Sequence, residues 1–252
     1  MAVLEIAVTS AAGARAACRA GADRVELCAA LELGGLTPSA GLLETALESV
    51  GDDPRASWRG VHALIRPRPG DFVYDADDLA TAVREVRAVI GAGAAGVVVG
   101  ALTGDGMVDE DALAALAGAA QDVDPATEVT FHRALDQTTD IFAAFSAILA
   151  GGRVDRVLTS GGKPAAGQAI AELNSMVRMA EADRVQVMAG GGVQLDDIAA
   201  LLGTGVDAVH LSAKKRVSGA GGRVALGAAD TDPGAFYATD EAIVSAASGM
   251  LH

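Results

Sequence analysis

Six side chains with acid–base or anion-binding chemistry stand inside short apolar runs, where such groups are unusual. They are Glu5 in LEIAV, Glu26 in RVELC, His62 and Arg66 in VHALIR, His132 in VTFH and His210 in AVHLS. Each alternates with Val, Leu, Ile, Ala or Phe. Side chains of a β-strand point alternately to its two faces, so each polar residue takes the face opposite its aliphatic neighbours. Charges drawn into an interior must be paired, ligated or put to use. Histidine and glutamate are the natural proton carriers near neutral pH, and arginine is the natural holder of a carboxylate or phosphate. Glu26, Arg66, His132 and Asp136 are therefore the candidate catalytic residues. Asp136 enters because TFHRALD places it four residues after His132, where it could orient the imidazole or hold Arg133. His62 lies four residues before Arg66, deeper along the same strand, and reads as structural. An internal salt-bridge network without catalysis remains the alternative.

Two further stretches suit an anion. VMAGGGV ends an apolar run with Gly190, Gly191 and Gly192, exposing backbone N–H groups before a helix. IRPRPGDF stiffens Arg66 and Arg68 between prolines, although Asp71 could neutralise one of them. Gly190, Gly191, Gly192, Arg68 and Ser212 are the candidate anion-binding set, with Lys214 and Lys215 of SAKK as counter-charges. LTSGGK offers a second glycine turn ending in Lys163. GGLTPS (34–39) reads as local turn structure. Cys28 follows Glu26 at the same strand phase and is the candidate metal ligand; Cys18 falls on a helix outside that interior. A hard divalent ion held by Glu5, Glu26 and a histidine is the other metal reading.

Positioning these residues requires many strands. Apolar strands are expected near 3–8, 23–28, 60–66, 95–100, 127–132, 154–159, 184–189 and 206–211. Ala-rich helices alternate with them near 10–20, 39–50, 75–91, 109–120, 138–150, 165–182, 194–203 and 234–248. Ser10 can cap the first helix. A weak repeat, GADRV, GRVDRV, EADRV and GVDAV, places an aspartate just before four of the strands. Eight βα units in 252 residues predict a single α/β domain, 1–252, folded as a (β/α)8 TIM-type barrel. A doubly wound sheet is disfavoured because the first turn lacks GxGxxG. On this reading Val25 and Leu27 face the helices, whereas Glu5, Glu26, His62, Arg66, His132 and His210 share the barrel interior. No lysine points inward on a strand, which disfavours Schiff-base chemistry. Residues 212–233 read as a long Gly-rich loop that could act as a lid.

The composition removes several classes. A net charge of −14 repels nucleic acid and anionic lipid. Two cysteines make no disulfide framework, and neither a signal peptide nor a membrane-length apolar stretch is evident, so a cytoplasmic protein is expected. The partners that remain are a small anionic molecule or a metal ion.

RVELC with GGLTPS, IRPRPGDFVY, VTFHRALD, RVLTSGG, MAGGGV and VHLSA, in this order from residue 4 to about 213, closely resemble the motifs of the CutC copper-homeostasis family. The resemblance implies a cytosolic TIM-type barrel that handles copper and assembles as an oligomer, with a homodimer as the simplest form. Members implicated in Cu(I) binding carry one cysteine in the first-strand motif and one in ELC. Cys28 matches the second, and Ala7 occupies the position of the first. Two functions are thus expected: copper homeostasis with Cu(I) at Cys28, or an isomerase, lyase or hydrolase acting on a small anionic or phosphorylated metabolite.

Overall fold

The computed structural model describes residues 2–51, 55, 58–218 and 235–252. Eight parallel strands close into a barrel in chain order: β1 (Val3–Val8), β2 (Arg24–Leu27), β3 (Val61–Leu64), β4 (Gly96–Val99), β5 (Glu128–Phe131), β6 (Arg156–Thr159), β7 (Gln186–Gly190) and β8 (Ala208–Leu211). Pairing of β1 with both β2 and β8 closes the ring. The helices around it are α1 (Ala11–Arg19), α2 (Ala40–Val50), α3 (Ala76–Gly91), α4 (Glu110–Val123), α5 (Ile141–Gly151), α6 (Ile170–Ala180), α7 (Ile198–Leu202) and α8 (Glu241–Leu251). This is the expected (β/α)8 barrel. Several boundaries shift by a few residues, and two strands appear that were not expected. The expected loop 212–233 contains a strand, β9 (Lys214–Val217), and the expected eighth helix is preceded by β10 (Phe236–Thr239), which pairs antiparallel with β9. FYAT is rich in β-forming side chains, so the helix starts only after Asp240, which caps it by accepting from Ala242 N at 2.9 Å. The remainder of the expected lid, 219–233, lies outside the described residues.

Local chemistry explains the element boundaries. Ser10 caps α1 by accepting from Gly13 N at 3.0 Å, as its type suggests. The repeated aspartates have a shared task. Asp23, Asp155 and Asp207 accept, each at 2.8 Å, from the backbone N–H of Leu4, Val129 and Val187 near the starts of β1, β5 and β7. Each carboxylate thereby satisfies an N–H at the start of the strand preceding it in the ring. Asp183, in the fourth copy, closes a turn through its backbone instead, donating to Ala180 O at 3.1 Å.

The main core lies between strands and helices. Leu4, Ile6, Val25, Leu27, Val61, Ala63, Val129, Phe131, Val209 and Leu211 are all buried there, on the face assigned to them by alternation. The opposite face fills the barrel. Two small apolar clusters are all it contributes to the hydrophobic packing among the described residues: Cys28 with Leu64 and Val98, and Leu158 with Met188 and Ala208. Much of the remaining interior is polar.

Candidate active site

Alternation continued to the strand starts brings more charge into the barrel than the central motifs suggest. Arg24, Glu128 and Arg156 precede Glu26, Thr130 and Leu158 at the same phase, and all point inward. Fully buried Arg24 forms an ion pair with Glu5. Arg156 reaches Glu128 at 2.8 Å, Gln186 at 2.9 Å and Thr130 at 3.0 Å. His62 sits above this network, 3.7 Å from Glu128. Burial, reinforced by the charge of Arg24, pulls its pKa down to about 3, so it is a neutral packing residue at physiological pH. These groups form the floor of the barrel.

Above the floor, at the carboxyl ends of the strands, is a cavity of about 300 Å³. Its walls include Ala7, Glu26, Cys28, Arg66, His132 and His210, with Phe72 and Leu64 as apolar surfaces. Barrel enzymes place their chemistry at this face. The volume is at the lower end for ligand pockets, which favours a small metabolite.

Three side chains divide the acid–base work. His210 Nδ1 lies 2.7 Å from Glu5 Oε1, and its Nε2 lies 3.7 Å from Glu26 Oε2. Burial disfavours the imidazolium, but the Glu5 hydrogen bond and the charges of Glu26 and Glu5 outweigh it and raise the His210 pKa. Burial also pushes at Glu5, yet Arg24 and His210 hold its pKa well below the usual carboxylate range. Glu26 has weaker compensation. Burial raises its pKa to about 7, with Glu5 adding to the rise and His210 and Arg24 opposing it. Two carboxylates in one interior are thus pushed apart, one permanently ionised and the other poised to exchange a proton near neutrality.

His132 is different. Its Nδ1 accepts from Ala134 N at 3.2 Å, which assigns the other ring nitrogen as the N–H donor. That Nε2 is buried without a hydrogen-bond partner among the described residues. Burial and the nearby Arg66 charge lower the pKa of His132 to about 3, so it is a neutral donor rather than a base. Glycines at the start of β4 and just after its end make room for both imidazoles. A Cβ on Gly100 would lie 2.4 Å from His132 Nδ1, and one on Gly96 would lie 2.6 Å from His62. The motif GVVVG is therefore part of the site's construction.

Several expected site residues have other partners. Arg66 lines the cavity, but its Nη1 donates to Leu33 O and Gly35 O at 2.9 Å, and its Nη2 to Gly70 O at 2.7 Å. It staples two loops together and stacks on Phe72, 5.0 Å from the ring centre. Both Nη groups are therefore taken by the loops, while Nε is buried without a partner among the described residues and the charge acts on His132. Thr37 completes the staple, accepting from Arg66 N at 2.8 Å, and GGLTPS is more than the expected local turn, since Gly34 and Gly35 line the cavity. Arg68 does not reach the cavity wall: Asp78 at 2.7 Å and Asp71 at 3.0 Å hold it outside. Asp136 does not touch His132. It accepts from Arg133 Nε at 2.8 Å, from Thr159 Oγ1 at 2.5 Å and from Gly162 N at 3.1 Å, tying the loops after β5 and β6 together. Of the glycines, Gly191 and Gly192 line the cavity with Ser212, whereas Gly190 belongs to β7, where a Cβ would strike Leu158 and His210. Lys214 is on the wall; Lys163 and Lys215 are turned to Glu172 and Asp240.

Cys28 faces the cavity, packed with Leu64, Val98 and Leu31. Burial pushes its thiol pKa strongly upward, and the charges of Glu26 and Glu32 push it further. Cu(I) is held by thiolates. A single thiol with Ala7 beside it in the cavity wall, and carboxylates that oppose its ionisation, does not fit a preformed Cu(I) centre. Cys18 is buried on α1, where Arg55 Nη2 approaches its sulfur at 3.2 Å. Among the described residues no cluster of three or more His, Cys, Asp or Glu is arranged to hold a metal ion.

The model of the CutC family matches residues 2–215. The chain belongs to the CutC family. A CutC family protein from Caulobacter vibrioides is 40% identical over 250 residues, covering 99% of this chain and 96% of the relative. One from Vibrio atlanticus is 41% identical over 195 residues, covering 77% and 74%. The crystal structure of a Streptococcus agalactiae CutC, assigned to copper homeostasis, aligns with a TM-score of 0.75 at 27% identity, covering 84% of this chain and 99% of that one. The motifs that carry the family resemblance are those that build the CutC cavity wall: RVELC, IRPRP, VTFHR, AGGGV and VHLS. No helix among the described residues is long and apolar enough to cross a membrane.

Proposed function

We propose that this CutC protein is an enzyme that moves a proton on a small anionic, carbonyl-bearing metabolite. The observation that carries this reading is Glu26: a carboxyl group facing a cavity, with its pKa brought to about 7 by burial and its neighbours. A general base is most effective when its pKa is close to the working pH. In its ionised form Glu26 takes a proton from the carbon next to the carbonyl. The C–H bond breaks, an O–H bond forms on Glu26, and the electron pair moves onto the carbonyl oxygen. The neutral His132 Nε2–H donates to that oxygen as charge develops. His210, held by Glu5, provides a cation beside Glu26. Where the carbon that lost the proton bears a hydroxyl, return of the proton to the former carbonyl carbon, with the hydroxyl proton passing to the other oxygen, gives isomerisation. Expulsion of a leaving group from the carbon β to the carbonyl, as the electron pair returns from the oxygen, gives a lyase reaction.

Deuterium exchange tests this without knowledge of the final product. The protein is incubated in D2O with a panel of small 2-oxo acids and ketose phosphates, and exchange is read by proton NMR. The reading expects exchange with at least one compound, and its loss by about two orders of magnitude or more in Glu26→Gln. No exchange across the panel, together with no thermal shift at millimolar ligand, would overturn it.

Copper homeostasis is the role named for the Streptococcus agalactiae relative, and Cys28 is the residue through which it would reach this chain. Competition with a Cu(I) chelator separates the two readings. The environment of Cys28 predicts equal, weak copper retention by the native protein and Cys28→Ala. A stoichiometric site lost in the variant would establish copper binding instead.

A further inference from the structure

Arg133 is the first residue after His132, at the start of a 3-10 turn, Arg133–Gln137. Two fixed partners hold it. Its Nε donates to Asp136 Oδ2 at 2.8 Å, and its Nη2 donates to Ser160 Oγ at 3.0 Å. Asp136 is itself immobilised: its side chain is 2% exposed, and Thr159, Ser160 and Gly162 all donate to it. The other face of the guanidinium rests on the β7–α7 turn. A Cβ on Gly191 would lie 2.6 Å from Arg133 Cζ, and Gly191 has φ +100°. Only glycine permits both this conformation and this approach.

A guanidinium carries five N–H donors in a planar fork. Asp136 and Ser160 take the edge formed by Nε and Nη2. The end of the fork remains, and Nη1 has no hydrogen-bond partner among the described residues. The side chain is 40% exposed and lines the same cavity as Glu26. Ser212, Lys214 and the turn of Gly191 and Gly192 border that cavity too. Nearby cations are otherwise engaged, Arg66 by three carbonyls, Arg68 by two carboxylates and Lys214 by the face of Tyr237, 4.6 Å from its ring centre, which leaves the Lys214 charge beside the cavity. Arg133 is thus held by one edge, with the end of its fork unpaired among the described residues and the side chain lining the cavity, an arrangement suited to a carboxylate or phosphate.

We propose that Arg133 is the phosphate-recognition residue of this site and that the substrate is a small phosphate monoester whose reacting carbon lies against Glu26. The assignment of the reacting carbon rests on the proton-transfer function proposed above; the anion subsite does not. The fork, a second cation at Lys214, the Ser212 hydroxyl and the glycine turn together offer more donors than the two oxygens of a carboxylate can use, and suit the three terminal oxygens of a phosphate. Asp136 is the positioning residue of this subsite, acting only through Arg133.

The test titrates inorganic phosphate, and acetate in parallel at constant ionic strength, into the full chain and its Arg133→Gln, Arg133→Lys and Arg68→Gln variants by calorimetry. Saturable phosphate binding is expected, with acetate about ten-fold weaker. Arg133→Gln should weaken phosphate by about ten- to hundred-fold. Arg133→Lys keeps the charge and loses the fork; it should remain folded and still bind at least about five-fold more weakly. Arg68→Gln should stay within about two-fold, since that side chain is held outside the cavity. Phosphate affinity unchanged in Arg133→Lys, or acetate bound as well as phosphate, overturns the subsite. Measuring the Glu26 titration in the same samples keeps the two claims apart: a normal Glu26 with Arg133-dependent phosphate binding sinks the proton-transfer function alone, and the reverse result sinks the subsite alone.

Discussion

Replacing Glu26 with glutamine should stabilise the protein at alkaline pH and leave it almost unchanged in acid. The carboxyl group titrates near 4.5 when exposed and near 7 in the folded protein. As pH rises from 4.5 the unfolded chain releases this proton before the folded one does, so the folded state holds more protons. Stability is then lost with rising pH until the folded group has ionised as well, just above 7. At about 1.4 kcal/mol per pH unit, the gap between the two values corresponds to a penalty on the order of 3 kcal/mol at pH 8. Local relaxation and water entry reduce it, so a measured difference of about 1–3 kcal/mol is expected. The amide keeps the shape of the side chain and removes the charge. Removing the Glu26 charge also lessens the rise in the His210 pKa, so the imidazole shifts read in both proteins separate that contribution from the one due to Glu26. Urea unfolding of native protein and Glu26→Gln at half-unit intervals from pH 4.5 to 8.5 would trace the curve. A difference that is flat with pH, or a variant that is progressively less stable above pH 7, would refute the reasoning.

Other substitutions probe the floor and walls. Glu5→Gln leaves buried Arg24 with only the distant Glu128 carboxylate, at 3.9 Å, and should cost about 3–5 kcal/mol at neutral pH in denaturant unfolding; it should also lower the His210 pKa, read from its imidazole NMR shifts. Gly100→Ala places a methyl group against the His132 ring and should destabilise by about 1–3 kcal/mol, with loss of ligand-induced thermal shift. Asp23→Ala leaves Leu4 N–H without its acceptor and should cost about 1–3 kcal/mol. Nitrogen NMR of His132 should show a neutral ring with the proton on Nε2 throughout pH 5–8; an imidazolium in that window would contradict the donor role.

The barrel was legible because its strands are buried on both faces yet still alternate: Val25 and Leu27 against Glu26, Val129 and Phe131 against Thr130. Inward direction at Glu26, His132 and His210 followed from that period alone. Arg24, Glu128 and Arg156 obey the same phase but sit at the strand starts, before the polar positions singled out from the sequence; one further step of alternation would have found them. Partner choice was not legible. Nothing local in IRPRPGDF says that Arg66 bonds to loop carbonyls or that Arg68 turns to Asp78, ten residues onward. Nothing in HRALD says that Asp136 serves the loop after β6. Likewise the role of Arg133 depends on a guanidinium lying on Gly191, 58 positions away in the chain, a contact created only by barrel closure. The GVVVG motif did carry a readable signal, since glycines at both ends of a buried valine strand imply that something lies close against it.

The most direct test of the central claim is the titration of Glu26 itself, followed by carbon NMR of its labelled carboxyl group in the native protein. The account predicts a midpoint near pH 7, moving upward in His210→Gln as the neighbouring cation is removed. A midpoint below about pH 5, unaffected by His210→Gln, would make Glu26 an ordinary paired carboxylate and contradict the account.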